Sequence, residues 1–309
     1  MLTPQIPTHF VAFIEHMHAE AGRAWLMRLP QILTHCAARW NLTLGQPFPN
    51  LTYHFVLSAT RPDGQPVVLK ICAPTKEYAE EAAAIGHFGG HGMAQLLDTD
   101  ADEEALLLER LMPGTTLRPL ADIADDAATR IAAGVMRQLW RPVISDFPFP
   151  TIQQWREGLT HLRDYYGGGT GPFSPTLVDA AESIYADFTA SLAPLVLLHG
   201  DLHHDNILAA ERAPWLAIDP KGLVGEPAYE VGAFLYNPQD IRQRAELPRI
   251  LARRLDILAE ELAIDRARLH GWGLYTALLS AWWDVEDLGH IGEDSLRCAE
   301  VLASLPGLP

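Results

Sequence analysis

The chain has 309 residues and a formal net charge of −16, from 23 Lys and Arg against 39 Asp and Glu. Hydrophobic residues make up 48% of it, enough for a sizeable core, which excludes a disordered or collagen-like chain. An acidic chain repels nucleic acid and anionic membrane surfaces, so we expect neither as a partner. The same charge favours cationic small-molecule ligands.

The cysteines and the N-terminus indicate the compartment. Cys36, Cys72 and Cys298 lie far apart and show no C-x-x-C spacing, which disfavours a disulfide framework or a zinc ribbon. The first ten residues lack a basic segment followed by an apolar core, and no apolar stretch approaches the roughly 18 residues of a membrane helix. We therefore expect a cytoplasmic protein; the sequence does not indicate its oligomeric state.

The first third of the chain mixes helices and strands. A helix is predicted around residues 10–17, and more helix over 24–40 with a break or restart at Pro30. Alternating residues from Tyr53, the turn Pro62-Asp63-Gly64 and an apolar return segment predict a β-hairpin over 53–71. The remaining elements of this region are a helix over 77–88 and strands over 95–98 and 105–111.

Beyond Pro113-Gly114 the pattern becomes mainly helical, with helices predicted over 123–140, 152–166 and 177–192. Two domains are therefore expected, 1–112 with a helical N-terminal extension over 1–47, and 113–309. The hinge is placed near Leu111–Gly114, with a ligand cleft at the junction. Trp272, Tyr275 and Trp282 recur at helical spacing, which predicts a buried stripe.

One segment carries chemistry. An apolar strand leads into His199-Gly-Asp201-Leu-His-His-Asp-Asn206, and a second short apolar strand delivers Asp219. Asp201 can accept the proton of a hydroxyl nucleophile, and Asn206 and Asp219 offer the hard oxygen ligands that Mg²⁺ prefers. Protein kinases use the same parts at the same spacing. The segment therefore predicts phosphoryl transfer, with Asp201 as catalytic residue, Asn206 and Asp219 as metal ligands, and His199 as an architectural residue.

Two other functions stay open from the residues alone. A zinc-dependent hydrolase could use His203, His204 and Asp205, although no other His or Cys lies at helpful spacing. A kinase-like scaffold could bind nucleotide or a partner without turnover, although the intact set of Lys70, Asp201, Asn206 and Asp219 argues against it.

The same segment resembles the aminoglycoside phosphotransferase family, in its streptomycin 6-phosphotransferase and hydroxyurea-resistance kinase branch. The resemblance rests on Leu-His-Gly-Asp-Leu-His-His-Asp-Asn-Ile-Leu over 198–208, on Ile-Asp-Pro-Lys-Gly over 218–222 and on Gly-Glu-Pro-Ala-Tyr-Glu-Val-Gly over 225–232. It spans roughly Asn50 to Leu305. The family normally has Gly where this chain has Asp205, and often Asp where it has Glu230; neither departure removes a part needed for transfer.

The resemblance implies an α+β, bilobal protein-kinase-like fold, with a small antiparallel-sheet lobe that binds nucleotide and a larger helical lobe that binds the acceptor. It implies a phosphotransferase with an alcohol group as acceptor, using ATP and Mg²⁺. The acceptor expected from this branch is a cationic aminoglycoside, streptomycin in particular, as in antibiotic resistance. Hydroxyurea, a sugar or an amino alcohol remain the alternatives, because fold does not settle substrate.

A kinase-like site also needs a lysine on a strand, paired with a glutamate on the next helix. Lys70 is the basic residue within an otherwise apolar strand. Glu81 shares a helical stripe with Ile85 and Phe88, which predicts that it faces the interior as the partner of Lys70. Glu77 is the reserve.

The remaining nucleotide contacts come from the resemblance. Backbone groups of the hinge strand, at Glu109 and Leu111, are expected to meet the adenine. The nucleotide-covering hairpin, placed over 53–68, lacks a G-x-G-x-x-G motif, and Ser58 or Thr60 is the candidate hydroxyl in its turn.

Four charged residues have two interpretations each. Lys221 could contact phosphate or balance acidic neighbours in its loop. Asp284, Glu286 and Asp287 could match a cationic acceptor or form a solvated helix face.

Overall fold

A computed structural model describes residues 4–75, 77–143, 147–155, 157–292 and 294–308. The chain forms two compact units, Met1–Gly114 and Thr115–Pro309. Among the described residues, no helix combines the length and the apolar character that crossing a bilayer requires.

The first unit is built on one five-stranded antiparallel sheet in the order β1-β2-β3-β5-β4. Its strands are Thr43–Pro47 (β1), Phe55–Thr60 (β2), Pro66–Ile71 (β3), Leu96–Asp100 (β4) and Ala105–Glu109 (β5). Two helices accompany them, Thr8–Arg39 (α1) and Glu77–Phe88 (α2).

The core of the first unit lies between α1 and the sheet. Apolar residues of α1, including Phe10, Leu29 and Leu33, are fully buried in one cluster with Phe55 and Leu69. The predicted break at Pro30 is wrong: α1 continues through this residue, and its non-helical backbone lies at Ala19. Burial of the flanking leucines outweighs the hydrogen bond that proline cannot donate.

The second unit is mainly helical. Its helices are Arg118–Leu139 (α3), Ile152–Trp155 (α4), Glu157–Tyr165 (α5), Pro175–Thr189 (α6), Val231–Leu235 (α7), Leu247–Leu262 (α8), Arg266–Leu288 (α9) and Arg297–Ser304 (α10). Its short strands, counting the one at the boundary between the units, are Pro113–Thr116 (β6), Arg141–Pro142 (β7), Val196–Leu198 (β8), Ile207–Ala210 (β9), Trp215–Ala217 (β10) and Leu223–Gly225 (β11). They form two three-stranded sheets, β10-β9-β6 and β11-β8-β7.

Helix α9 is the centre of the second unit. Trp272, Tyr275, Leu279 and Trp282 are at most 1% exposed, so the predicted buried stripe is confirmed. Burial of such large aromatic side chains is a major source of core stability. A small antiparallel sheet in one unit and a mainly helical second unit confirm the predicted α+β class.

Candidate active site

In the first unit, β3 and α2 bring Lys70 and Glu81 together. The Lys70 Nζ lies 2.8 Å from Glu81 Oε1 and 2.7 Å from Oε2, and both side chains are about 95% buried. Two buried charges are tolerated because they compensate each other. Glu77, the reserve partner, lies 3.2 Å from the Nε2 atom of His54.

The predicted adenine-contacting positions lie at the end of β5. Glu109 is tied to Gln95 twice: its backbone N–H donates to the Gln95 carbonyl at 2.9 Å, and its Oε2 accepts from the Gln95 N–H at 2.9 Å. Leu111 lies two residues beyond the strand and is 6% exposed.

Ser58 and Thr60 were predicted in a turn, and both lie within β2. The turn of this hairpin is over residues 61–65. The Ser58 Oγ donates a hydrogen bond to the Gln46 carbonyl at 3.2 Å and so links β2 to the neighbouring strand β1. Strand β1 lies at the end of the predicted helical extension over 1–47, so that prediction is wrong for Thr43–Pro47.

In the second unit, β8 ends in a tight turn at Gly200. The φ of Gly200 is +84°, and a Cβ there would lie 3.2 Å from the Cβ of Lys221 and 3.3 Å from that of Leu223. Both the backbone conformation and the close approach of the segment that leads into β11 therefore require glycine. The turn brings Asp201 out of the strand with its side chain 34% exposed.

His199 ties this turn to the segment that carries Asp219. Its Nε2 donates to the Ile218 carbonyl at 2.8 Å, and its Nδ1 accepts from the Asp201 N–H at 3.2 Å. The His199 carbonyl accepts from the Lys221 and Gly222 N–H groups. Complete burial lowers the pKa of His199 to about 4, so the ring is neutral near pH 7 and its two nitrogens have fixed roles.

Glu230 holds the same turn from the other side. Its Oε2 accepts from the His199 N–H at 2.7 Å, and its Oε1 accepts from the Gly200 N–H at 3.0 Å. The residue is 2% exposed, and burial raises its pKa to about 7 against these hydrogen bonds.

This raised pKa predicts a pH dependence of stability. Folded Glu230 holds its proton up to about pH 7, whereas the unfolded chain releases it near 4.5. The free energy of unfolding should therefore fall as pH rises through this window, by up to about 1.4 kcal/mol per pH unit. Glu230→Gln should remove this contribution. The –NH₂ group of glutamine would face a backbone N–H and cannot accept its hydrogen bond. We therefore expect the variant to be less stable than wild type over the whole pH range.

Urea denaturation of both proteins between pH 5 and pH 8 measures the effect. The stability difference between wild type and Glu230→Gln should be largest at pH 5 and shrink towards pH 8. A difference that stays constant over this range would show that Glu230 does not titrate there.

A 3₁₀ turn over His204–Asn206 and the hairpin β9–β10 position the predicted metal ligands. The Asn206 Nδ2 donates to the Asp201 carbonyl at 3.0 Å, and the Asn206 carbonyl accepts from the Ile218 N–H at 3.0 Å. Asp219 follows β10 with φ of +62°, a left-handed conformation that L-residues adopt at a cost. Such strain is concentrated at functional sites.

The donor set suits Mg²⁺. The Nδ2 of Asn206 is used by the Asp201 carbonyl, which leaves its Oδ1 as a neutral oxygen ligand, and Asp219 adds a carboxylate. Mg²⁺ is usually held by one or two such side chains together with substrate phosphates. Among the described residues, no three His, Cys, Asp or Glu side chains are grouped to hold a metal ion.

The two histidines that could have served a zinc site have other contacts. The Nδ1 of His203 accepts from the Asp205 N–H at 3.2 Å. His204 is fully buried, its ring stacks on Phe234 with centroids 4.1 Å apart, and its Nε2 lies 3.4 Å from Nη2 of Arg254. Burial and the Arg254 charge lower the pKa of His204 to about 2.

The acidic residues late in α9 have partners of their own. Asp284 accepts from the Ser295 hydroxyl, and Glu286 lies 3.6 Å from Nδ1 of His161. Burial raises the pKa of Glu286 above its usual value. Lys221 contributes its backbone N–H to the His199 carbonyl at 2.8 Å.

A small cleft adjoins the turn at Gly200 within the second unit. We call it the aromatic cleft; its lining residues are Trp155, Gly200, Tyr229, Glu230, Ala233, Tyr236, Thr276 and Trp283. The sequence predicts no site at Trp155 or Tyr236. The available signal was weak, because the four aromatic residues are scattered over 129 positions of the chain, from 155 to 283.

Comparisons with known proteins agree with this architecture. Residues 39–288 match the family model "Aminoglycoside/hydroxyurea antibiotic resistance kinase". The chain is similar to a streptomycin 6-kinase of Streptomyces glaucescens, with 35% identity covering 92% of each chain. It is also similar to a hydroxyurea phosphotransferase of Kitasatospora aureofaciens, with 32% identity covering 98% of this chain and 87% of that one.

A solved structure shares the fold at lower identity. It is a thermostable mutant of aminoglycoside phosphotransferase APH(4)-Ia in ternary complex with ADP and hygromycin B, with 17% identity and a TM-score of 0.61. The alignment covers 89% of this chain and 98% of that one. The family match spans well over half of the sequence, and the chain belongs to the aminoglycoside/hydroxyurea antibiotic resistance kinases.

Proposed function

We propose that this kinase transfers the γ-phosphoryl group of ATP to a hydroxyl of streptomycin. The observation that carries the proposal is the turn at Asp201, which His199, Glu230 and Asn206 hold by backbone hydrogen bonds. The similarity to a streptomycin 6-kinase supports the acceptor. Because the reaction consumes ATP, we place the protein in the cytoplasm.

Asp201 orients the acceptor hydroxyl and accepts its proton as the oxygen attacks the γ-phosphorus. Its carboxylate is partly exposed, so a substrate can reach it, while its backbone is fixed on both sides. A pre-positioned base removes the need to order the reacting groups during the reaction, and this is where most of the rate enhancement of a kinase arises.

Asn206 and Asp219 would hold Mg²⁺ through their side-chain oxygens. The ion would supply positive charge that offsets the negative charge of the phosphates during transfer. The hairpin β9–β10 and the His199–Ile218 hydrogen bond keep these two side chains in a fixed relation to Asp201.

The remaining nucleotide contacts are assigned to residues 1–112, and the acceptor to residues 113–309. Lys70, held by Glu81, contacts the α- and β-phosphates. Backbone groups at Glu109 and Leu111 meet the adenine. Ser58 has the weakest case, because its hydroxyl already donates to Gln46.

The 32% identity to a hydroxyurea phosphotransferase supports a second acceptor, hydroxyurea. The two acceptors differ in charge, because the guanidino groups of streptomycin are cationic whereas hydroxyurea is neutral. The acidic chain favours the cation.

A coupled ADP-release assay with ATP and Mg²⁺ tests the proposal. The acceptors are streptomycin, other aminoglycosides, hydroxyurea, simple sugars and amino alcohols. We expect ADP release that depends on streptomycin, is abolished by EDTA and restored by added Mg²⁺, with phosphorylated streptomycin identified by mass spectrometry. Turnover of another acceptor with no phosphorylation of streptomycin would overturn the proposed substrate. ATP binding without turnover of any acceptor would overturn the proposed activity.

A further inference from the structure

His54 is a buried side chain that the proposed reaction does not use. It lies directly before β2 and is 8% exposed. Its Nδ1 accepts a hydrogen bond from the backbone N–H of Ala73 at 3.1 Å. Because Nδ1 is an acceptor, the proton of the neutral ring lies on Nε2, which donates to Oε2 of Glu77 at 3.2 Å. One ring therefore makes two hydrogen bonds with fixed and opposite roles.

The two partners of His54 lie near the two ends of the link between β3 and α2. Ala73 is the second residue after β3, and Glu77 is the first residue of α2. Strand β3 carries Lys70 and α2 carries Glu81, and these buried side chains meet at 2.7 Å. His54 therefore joins the strand that carries the lysine to the helix that carries the glutamate.

The hydrogen bond to Glu77 bears on the position of Glu81. Residues four positions apart lie on one face of a helix, about 6 Å from each other along its axis. His54 holds the first of these two side chains, and Lys70 holds the second. A shift or rotation of α2 that separates Glu81 from Lys70 must also pull Glu77 away from His54.

The other hydrogen bond at the start of α2 is local. The Glu77 backbone N–H donates to Oγ1 of Thr75 at 3.3 Å, a contact within the link itself, which does not fix the helix against the sheet. The His54 ring enters from the segment before β2 and so ties this end of the helix to the sheet.

We propose that His54 is a positioning residue for ATP, which keeps Glu81 against Lys70 by joining β3 to α2. In kinases the ion pair between the strand lysine and the helix glutamate must be in place for transfer, and the position of the helix controls it. His54 supplies that control from within the first unit. The inference deepens the proposed function and rests on it for the contact between Lys70 and ATP.

The first variant removes one of the two hydrogen bonds of the ring. In His54→Asn the side-chain oxygen takes the place of Nδ1 and accepts from Ala73, but the shorter side chain does not reach Glu77. Binding of ATP with Mg²⁺ to the full chain, measured by isothermal titration calorimetry, should weaken roughly 2- to 30-fold, the range of couplings carried by a network of contacts. The KM for ATP should rise by a similar factor, and the KM for streptomycin should stay unchanged.

Two substitutions at Glu77 test whether the hydrogen bond to α2 carries the effect. Glu77→Gln loses the charge but keeps an oxygen that accepts from His54, so it should bind ATP nearly as the wild type does. Glu77→Ala should weaken binding as much as His54→Asn does. The double variant with His54→Asn and Glu77→Ala should bind no more weakly than either single variant, because both remove the same hydrogen bond. Additive losses would overturn the inference.

The route through the lysine is tested in a second background. In Lys70→Met, the further change His54→Asn should leave kcat/KM for ATP unaltered, because the lysine that His54 positions is gone. A further loss would show that His54 affects ATP by another route, and this would overturn the inference.

Thermal unfolding without nucleotide separates a positioning role from a purely structural one. If His54→Asn lowers the melting temperature but leaves ATP affinity and the KM for ATP at wild-type values, His54 is structural and the inference falls. The side chain of Glu77 is 38% exposed, so the Glu77 variants should fold and test the inference even if His54→Asn does not fold.

His35→Asn is the matched control. This histidine also pairs with a carboxylate in the first unit, with its Nε2 at 2.9 Å from Oδ2 of Asp100, but it links α1 to β4. The control variant should bind ATP as the wild type does. An equal loss of ATP affinity in His35→Asn and His54→Asn would contradict the specific role of His54.

Failure of the inference and failure of the proposed function give different results. If streptomycin is phosphorylated and the variants at His54 and Glu77 bind ATP as the wild type does, the role of His54 falls and the activity stands. If His54→Asn and Glu77→Ala weaken ATP binding but streptomycin is not phosphorylated, the role of His54 stands and the acceptor is a different compound.

Discussion

Asp201→Asn is expected to lower kcat by roughly 10²- to 10⁴-fold, the range that a positioned general base contributes. The amide is nearly the same size as the carboxylate but cannot take the proton of the acceptor hydroxyl. The fold should persist, because the substitution keeps two backbone hydrogen bonds of this residue: its N–H donates to His199 Nδ1 and its carbonyl accepts from Asn206. Steady-state ADP release gives kcat, and thermal unfolding confirms that the variant is folded.

The same segment provides a matched control. Asp205 lies four residues further on, and its side chain is 41% exposed against 34% for Asp201. Its carboxylate lies 3.7 Å from a guanidinium nitrogen of Arg118, an exposed pair whose loss costs little. Asp205→Asn should therefore keep kcat within a few-fold of wild type. If the two variants lose activity equally, Asp201 is not the base.

The chemistry proposed for this segment could be inferred from the sequence because its residues are local. The residues from His199 to Asp219 lie within 21 positions, and phosphoryl transfer requires a base and hard oxygen ligands at a spacing that one loop and one hairpin can supply. The partner of Lys70 was predictable for a similar reason, since helical periodicity separates the inward-facing glutamate from its neighbours.

The parts that sequence analysis missed depend on long-range packing or on atypical local signals. The aromatic cleft draws Trp155 and Trp283 from positions 128 residues apart, and no periodicity connects them. Strand β1 contains glycine and ends in proline, residues that are depleted in strands. At Pro30, tertiary burial overrides a local helix-breaking signal, which a single residue cannot reveal.

Arg254→Leu is expected to destabilise the protein by about 3–5 kcal/mol, the cost of breaking a buried ion pair from one side. Arg254 lies on α8 with its side chain fully buried, and its Nη2 lies 2.6 Å from Oδ1 of Asp125 on α3. Its Nη1 donates to three backbone carbonyls, including that of Asn237 at 2.6 Å. Leucine would leave these carbonyls and the Asp125 carboxylate without their donor. Urea denaturation measures the loss.

The adjacent residue is the control for this prediction. Arg253 and Asp126 form the neighbouring pair between the same two helices, at 2.7 Å, but their side chains are 45% and 47% exposed. Solvent screens such a pair, so Arg253→Leu should cost no more than about 1 kcal/mol. If the two variants lose similar free energies of unfolding, the loss comes from the contact between α3 and α8 in general and not from the buried guanidinium.

Arg254→Lys shows whether this buried residue also supports catalysis. Lysine keeps the charge, but its three N–H donors lie on one nitrogen, whereas arginine has five in one plane. A lysine therefore cannot donate hydrogen bonds to Asp125 and to the backbone carbonyls at the same time. The Arg254 guanidinium also lies 3.4 Å from the ring of His204, which stacks on Phe234. His204 precedes Asn206 by two positions in the chain. Loosening this contact should move a proposed metal ligand, so Arg254→Lys should lower kcat more than Arg253→Lys does. Equal kcat values would restrict Arg254 to stability.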